Sequence, residues 1–143
     1  MTTEKMHFEY PVEGGNFSKA GYPSSQVKKT LKQLNVDGNV IKRTVVALYE
    51  AEVNIVAHAY KGVIFIDIDT KKIIIKLVDE GPGIPDIKKA MEIGYSTATP
   101  EVREMGFGAG MGLSNMNNNS DKLTITSEVG KGTNVEIINY FPS

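Results

Sequence analysis

The apolar run Ile73-Ile74-Ile75-Lys76-Leu77-Val78 passes directly into Asp79-Glu80-Gly81-Pro82-Gly83-Ile84. No other junction restricts the fold as strongly. The run reads as a buried strand that ends in a carboxylate and two glycines. A carboxylate at a strand end costs desolvation energy unless a donor reaches it, and the exocyclic amino group of adenine is a suitable donor. Gly81 and Gly83 let backbone approach a base and sugar where a Cβ would collide. The hexapeptide therefore predicts a nucleotide pocket, although Asp followed by a Gly-Pro-Gly turn also suits a plain loop.

Upstream, Asp37 can cap a helix that runs through Val40, Ile41, Val45, Leu48, Val53 and Ile55 to His58, with no proline to interrupt it. At roughly 100° per residue, Glu50, Asn54 and His58 drift by only about 40° per step of four and share one face. Glu52 points the other way and is set aside as an actor. A carboxylate, an amide and an imidazole one turn apart are poor packing material but suit a phosphate and its metal. Asn54 offers a neutral carbonyl oxygen to Mg²⁺, a hard cation that keeps most of its waters. Glu50 can accept a proton from an attacking hydroxyl or water. Taken singly, each of these residues also fits a solvated helix face.

Downstream, Gly106-Phe107-Gly108-Ala109-Gly110-Met111-Gly112-Leu113 precedes a short helical stretch to Met116. Closely spaced glycines leave backbone N–H groups free to face an anion, and the helix start adds partial positive charge. A polyphosphate suits this loop. The pattern lacks the Lys-Ser/Thr of a P-loop, and a hinge would read alike. Gly130-Lys131-Gly132-Thr133 joins two strand-like runs, 123–127 and 134–141, in ordinary hairpin chemistry.

In this order the segments resemble the Bergerat-type ATP-binding fold shared by gyrase, MutL and histidine kinases. Residues 50–58 are similar to its N box, 79–84 to its first glycine box, 94–105 to its lid, 106–113 to its second glycine box and 130–133 to its third. The resemblance implies that Asn54 holds Mg²⁺ and that Asp79 receives the adenine N6 amino group. It also implies that Gly81, Gly83, Gly106, Gly108, Gly110 and Gly112 line base, lid and phosphates, and that Thr133 supports the network around Asp79. His58 and Met111 count with the nucleotide-binding residues. An Asp acceptor would select adenine over guanine, which presents an acceptor where adenine presents a donor.

Within that superfamily the chain resembles the small bacterial anti-sigma-factor serine kinases and the stressosome switch kinase. Asp79 to Thr97 and Glu50-Ala-Glu-Val-Asn54 carry the likeness. The resemblance implies ATP and Mg²⁺ as cofactors, Glu50 as catalytic base, and phosphotransfer to a serine on a small partner. That partner would be a sigma factor, a STAS-type antagonist or a scaffold. Nucleotide-gated capture of such a partner, without phosphotransfer, is the alternative. Two departures stand out. The lid insertion 98–105 resembles the anti-sigma branch more than the switch kinase, and Asn117-Asn118-Asn119-Ser120-Asp121 are poor helix formers expected to shorten the preceding helix.

The 143 residues, 41% of them hydrophobic, suffice for one compact domain and no second. Only His7 and His58 are histidines, so the phosphoacceptor hairpin of a whole histidine kinase is not expected. A formal net charge of -1 argues against general nucleic-acid binding. Without cysteine, disulfide and thiolate chemistry are excluded. No apolar run approaches the roughly 20 residues that span a bilayer, and the N-terminus lacks a signal-peptide core, so cytoplasmic residence is expected. A homodimer is left open, since related kinases often pair.

The expected architecture is an α/β two-layer sandwich: a mixed, mainly antiparallel sheet with helices on one face. Strands are expected over 7–12, 63–69 and 72–78, with a helix over 17–35 interrupted near Gly21-Tyr22-Pro23 and restarted by a Ser24 or Ser25 cap. Val27, Leu31 and Leu34 form an apolar stripe opposite Lys28, Lys29 and Lys32. Asp86 is expected to cap a short helix to Ile93. The lid's small and polar residues bury little, so it should order only when phosphate contacts offset lost entropy. Ser96, Thr97 and Arg103 are the phosphate contacts expected there.

Overall fold

The computed structural model describes residues 5–87 and 112–142. Its elements are β1 (Met6–Glu13), a 3-10 turn (Phe17–Lys19), α1 (Tyr22–Gln33), α2 (Gly38–His58), β2 (Lys61–Ile68), β3 (Lys72–Glu80), α3 (Gly112–Asn118), β4 (Lys122–Glu128) and β5 (Gly132–Tyr140). The five strands form one sheet in the order β1-β2-β3-β5-β4. Every pairing among the described residues is antiparallel, so the mainly antiparallel expectation holds without the parallel pair that a mixed sheet would add.

Side-chain alternation decides which face is covered. Ile64, Ile66 and Ile68 of β2, Ile73, Ile75 and Leu77 of β3, and Ile137 of β5 all point inward and are buried. The register sets Ile66 opposite Ile75 and Ile75 opposite Ile137, a continuous apolar row across three strands. Each such side chain contributes about 1.5–3 kcal/mol by leaving water. The row is met by α2, whose Ile41, Ala47, Leu48, Ala51, Ile55 and Val56 are buried in the same core. Asp37 caps α2 as its sequence position suggests, accepting from the N–H groups of Asn39 (3.0 Å) and Val40 (3.4 Å).

The start of α1 differs from expectation. Neither Ser24 nor Ser25 caps it. The N-cap is Gly21, at φ 96°, and Pro23 lies in the first turn, where its preset φ suits a helix start. Ser24 is buried and donates its hydroxyl back to the Gly21 carbonyl (3.1 Å). The anion at this helix start comes from α2: Glu52 Oε2 accepts the Gly21 N–H. Glu52 thus faces away from Glu50, as its spacing predicts, and serves α1 from the far side of α2.

One buried polar side chain ties the far end of the molecule together. Asn139, fully buried on the inner face of β5, donates to Thr44 Oγ1 (3.0 Å) on α2 and to the Asn119 carbonyl (3.1 Å) after α3. Its Oδ1 accepts the Asp121 N–H (2.7 Å) at the start of β4. Both amide protons and the carbonyl are satisfied, which removes the desolvation cost of burying them. As expected, the Asn-rich stretch ends α3 after seven residues.

Candidate nucleotide-binding site

Two glycine-bearing segments meet at the C-terminal end of β3. Asp79, half-buried, accepts the Thr133 N–H through Oδ1 at 3.0 Å. Thr133 Oγ1 lies 2.9 Å from Ser127 Oγ, and Ser127 also donates to the Gly132 carbonyl (3.1 Å) and accepts the Ile84 N–H (2.7 Å). The end of β3, the turn after it and the β4–β5 hairpin are therefore one hydrogen-bonded unit. The second Asp79 oxygen has no hydrogen-bond partner among the described residues. Burial pushes the Asp79 carboxyl above its ordinary range, and the Thr133 N–H opposes that shift.

The glycines have a reason to be glycines that precedes any ligand. A Cβ on Gly81 would stand 2.9 Å from Ala59 Cα, and one on Gly83, at φ 77°, would stand 2.5 Å from the Glu128 carbonyl oxygen. At Gly132 the clash is harder: a Cβ there would stand 2.0 Å from the Asp79 carbonyl oxygen. Gly83 and Gly132 let the β4–β5 hairpin close onto the end of β3, and Gly81 makes room for the C-cap of α2. Gly130 N–H to the Pro82 carbonyl (2.9 Å) and Gly81 N–H to the Lys131 carbonyl (3.0 Å) complete the join.

On α2, Glu50, Asn54 and His58 are all partly exposed, whereas Ala51, Val53, Ile55 and Val56 between them are buried. Asn115 Nδ2 on α3 donates to Glu50 Oε1 at 3.3 Å, linking α3 to α2. The Asn54 amide makes no hydrogen bond among the described residues. Burial lowers the His58 pKa, which favours a neutral imidazole near pH 7. Gly112 opens α3. Ser96, Thr97, Arg103, Gly106, Gly108, Gly110 and Met111, with the whole lid and the helix expected after Asp86, lie outside the described residues.

The donor set suits a nucleotide and a magnesium ion. The open Asp79 oxygen can accept from an amino group, and the Asn54 carbonyl is a hard oxygen ligand of the kind Mg²⁺ takes singly beside phosphates and water. No group of three His, Asp or Glu side chains among the described residues could hold a metal by protein ligands alone. Sequence reasoning missed Ser127 and Asn115. Ser127 had a usable signal, because the hairpin register sets it directly opposite Thr133. Asn115 had none, since its partner lies on another helix.

Comparison with known proteins agrees with this geometry. Residues 39–142 match the family described as histidine kinase-, DNA gyrase B-, and HSP90-like ATPase. The chain is 40% identical over 102 residues to an anti-sigma F factor of Thermoanaerobacter sp. (strain X514), an alignment covering 68% of each chain. It is 36% identical over 102 residues to the serine/threonine-protein kinase RsbT of Bacillus subtilis (strain 168), covering 68% of this chain and 71% of RsbT. The crystal structure of the RsbU and RsbW domains of Rv1364c from Mycobacterium tuberculosis matches 99% of this chain and 34% of its own, with TM-score 0.63 and 15% identity. At that identity the likeness concerns the fold.

Proposed function

This chain belongs to the histidine kinase-, DNA gyrase B- and HSP90-like ATPase family, and from that premise we propose that it is an ATP-dependent protein-serine kinase of the anti-sigma type. Its target is a serine on a small signalling partner, a sigma factor's antagonist or a scaffold, met in the cytoplasm. The observation that carries the reading is the pairing of an Asp79 carboxylate, tied by one oxygen, with an Asn54 amide, the second Asp79 oxygen and the amide both being without a partner among the described residues. Relatives named as an anti-sigma F factor and as a serine/threonine-protein kinase support it.

Asp79 orients the adenine through its open oxygen, and Thr133, braced by Ser127, holds that carboxylate in place. Asn54 would bind Mg²⁺, which neutralises phosphate charge when bound. Glu50, steadied by Asn115, takes the proton from the serine hydroxyl as its oxygen bonds to the γ-phosphorus. The bond from that phosphorus to the β-bridging oxygen breaks, and ADP leaves. With little covalent chemistry left to the protein, catalysis is positioning and charge neutralisation.

Radiolabelled ATP, Mg²⁺ and candidate partner proteins provide the test. Label should appear on partner serine, and Glu50→Ala should lower transfer about 100-fold or more while ATP binding stays within about threefold. Equal loss of binding and transfer would remove Glu50 from the role of base. The anti-sigma name of the 40% identical relative favours a second reading, nucleotide-gated capture without transfer. ATP-dependent complex formation with no label on any partner would select it.

A further inference from the structure

A second concave site lies on the side of α2 away from Glu50. A cavity of about 530 Å³ opens between β1, the 3-10 turn and the start of α1. That volume is in the range of small-molecule pockets. Tyr10 and Tyr22 stand in its wall with ring centroids 6.3 Å apart and planes at 78°, an edge-to-face pair. Glu13, Asn16 and Lys19 contribute polar groups, and Glu52 forms part of the same wall.

Glu52 is the residue that asks for a ligand. It is 1% exposed, and its two carboxylate oxygens are treated differently by the protein. Oε2 accepts the Gly21 N–H, and the Ser24 N–H also faces the carboxylate; Oε1 is buried with no hydrogen-bond partner among the described residues. A buried carboxylate oxygen without a donor carries the desolvation cost of its charge uncompensated. Lys19 does not supply the missing charge, since no ion pair joins it to Glu52 among the described residues. Two carboxylates against one ammonium leave the wall net negative, and two tyrosine faces attract cations through their ring quadrupoles.

We infer that this cavity binds an organic cation with a planar guanidinium or amidinium head, anchored on Glu52 and stacked against one ring of the Tyr10–Tyr22 pair. The forked N–H donors of such a head match a carboxylate edge. A free metabolite and an arginine side chain of a partner carry the same head group. The site is separate from the nucleotide pocket, and α2 carries both: Glu52 on one face, Glu50 and Asn54 on the other.

Titration of the nucleotide-free protein with benzamidine, followed by amide chemical shifts, tests the inference without relying on ATP binding. Saturable shifts at Gly21, Tyr22 and Glu52 with Kd below about 1 mM are expected, with benzamide, the neutral isostere, at least about tenfold weaker. Glu52→Gln should weaken benzamidine by about tenfold or more. Tyr22, itself exposed, supplies a second variant, Tyr22→Leu, expected to weaken it about threefold or more whether or not Glu52→Gln folds. A blocked arginine amide that saturates where benzamidine also does leaves either source; saturation by the arginine amide alone assigns a partner side chain. Absence of saturable binding by both cations at about 10 mM, or equal affinity for benzamidine and benzamide, overturns the inference.

Discussion

Replacing Asp79 by Asn probes the nucleotide site with almost no change in shape. One oxygen of Asp79 accepts the Thr133 N–H at 3.0 Å, and an Asn carbonyl can keep that bond. The other position then carries an amino group where an acceptor is needed, so an adenine amino group would face a donor. A hydrogen bond to a charged group is worth about 1.5–3 kcal/mol, which predicts ATP binding weaker by about 10- to 150-fold. The folded protein should not suffer, because burial already disfavours the charge at this position. Calorimetric titration with ATP measures the affinity, and a thermal melt of the same sample shows that the fold is intact. Discrimination against GTP should also narrow, since guanine offers an acceptor to the new amino group. An Asp79→Asn protein that melts normally and binds ATP as the parent does would refute the assignment of Asp79 to the base.

Three further outcomes are expected. Gly132→Ala drives a Cβ to 2.0 Å from the Asp79 carbonyl oxygen, a backbone atom that cannot swing aside, so urea denaturation should show a loss of about 3 kcal/mol. Asn139→Leu leaves the Asn119 carbonyl and the buried Thr44 hydroxyl without their amide partner, while the Asp121 N–H keeps the Ile138 carbonyl, and the same measurement should record a loss of about 1–3 kcal/mol. Burial raises the Glu52 pKa in the folded protein, so folding favours its protonated form; stability falls as pH rises from the unfolded value, about 4.3, through the folded one, and the deficit is complete above it. Glu52→Gln is therefore expected to raise Tm relative to the parent near about pH 8, with the gain vanishing near about pH 4.

The elements that repeat a local rule were legible in the chain. Asp37 before an uninterrupted apolar period marks α2, and the isoleucines alternating over 63–69 and the apolar run 73–78 mark two strands. The glycine pair after Asp79 marks the end of β3. What could not be read was which distant groups share a hydrogen bond. Local capping points to Ser24 or Ser25 at the start of α1, yet the carboxylate there arrives from Glu52 on another helix. Gly81 and Gly83 read in the sequence as space for a base and sugar; in the fold their missing Cβ atoms also make room for Ala59 and for the Glu128–Val129 backbone.

Sequence alone thus determined the segments and their chemistry: a capped helix bearing Glu50, Asn54 and His58 on one face, a strand ending in Asp79, and a Gly-Lys-Gly-Thr hairpin. These follow from periodicity and backbone sterics, which act over a few residues. Tertiary structure alone decided that Thr133, itself bonded to Ser127, holds Asp79, that Asn115 reaches Glu50, and that Glu52 caps α1 beside a cavity. Those contacts join residues from separate elements, and their geometry exists only once β5 lies between β3 and β4 and α2 packs across the sheet.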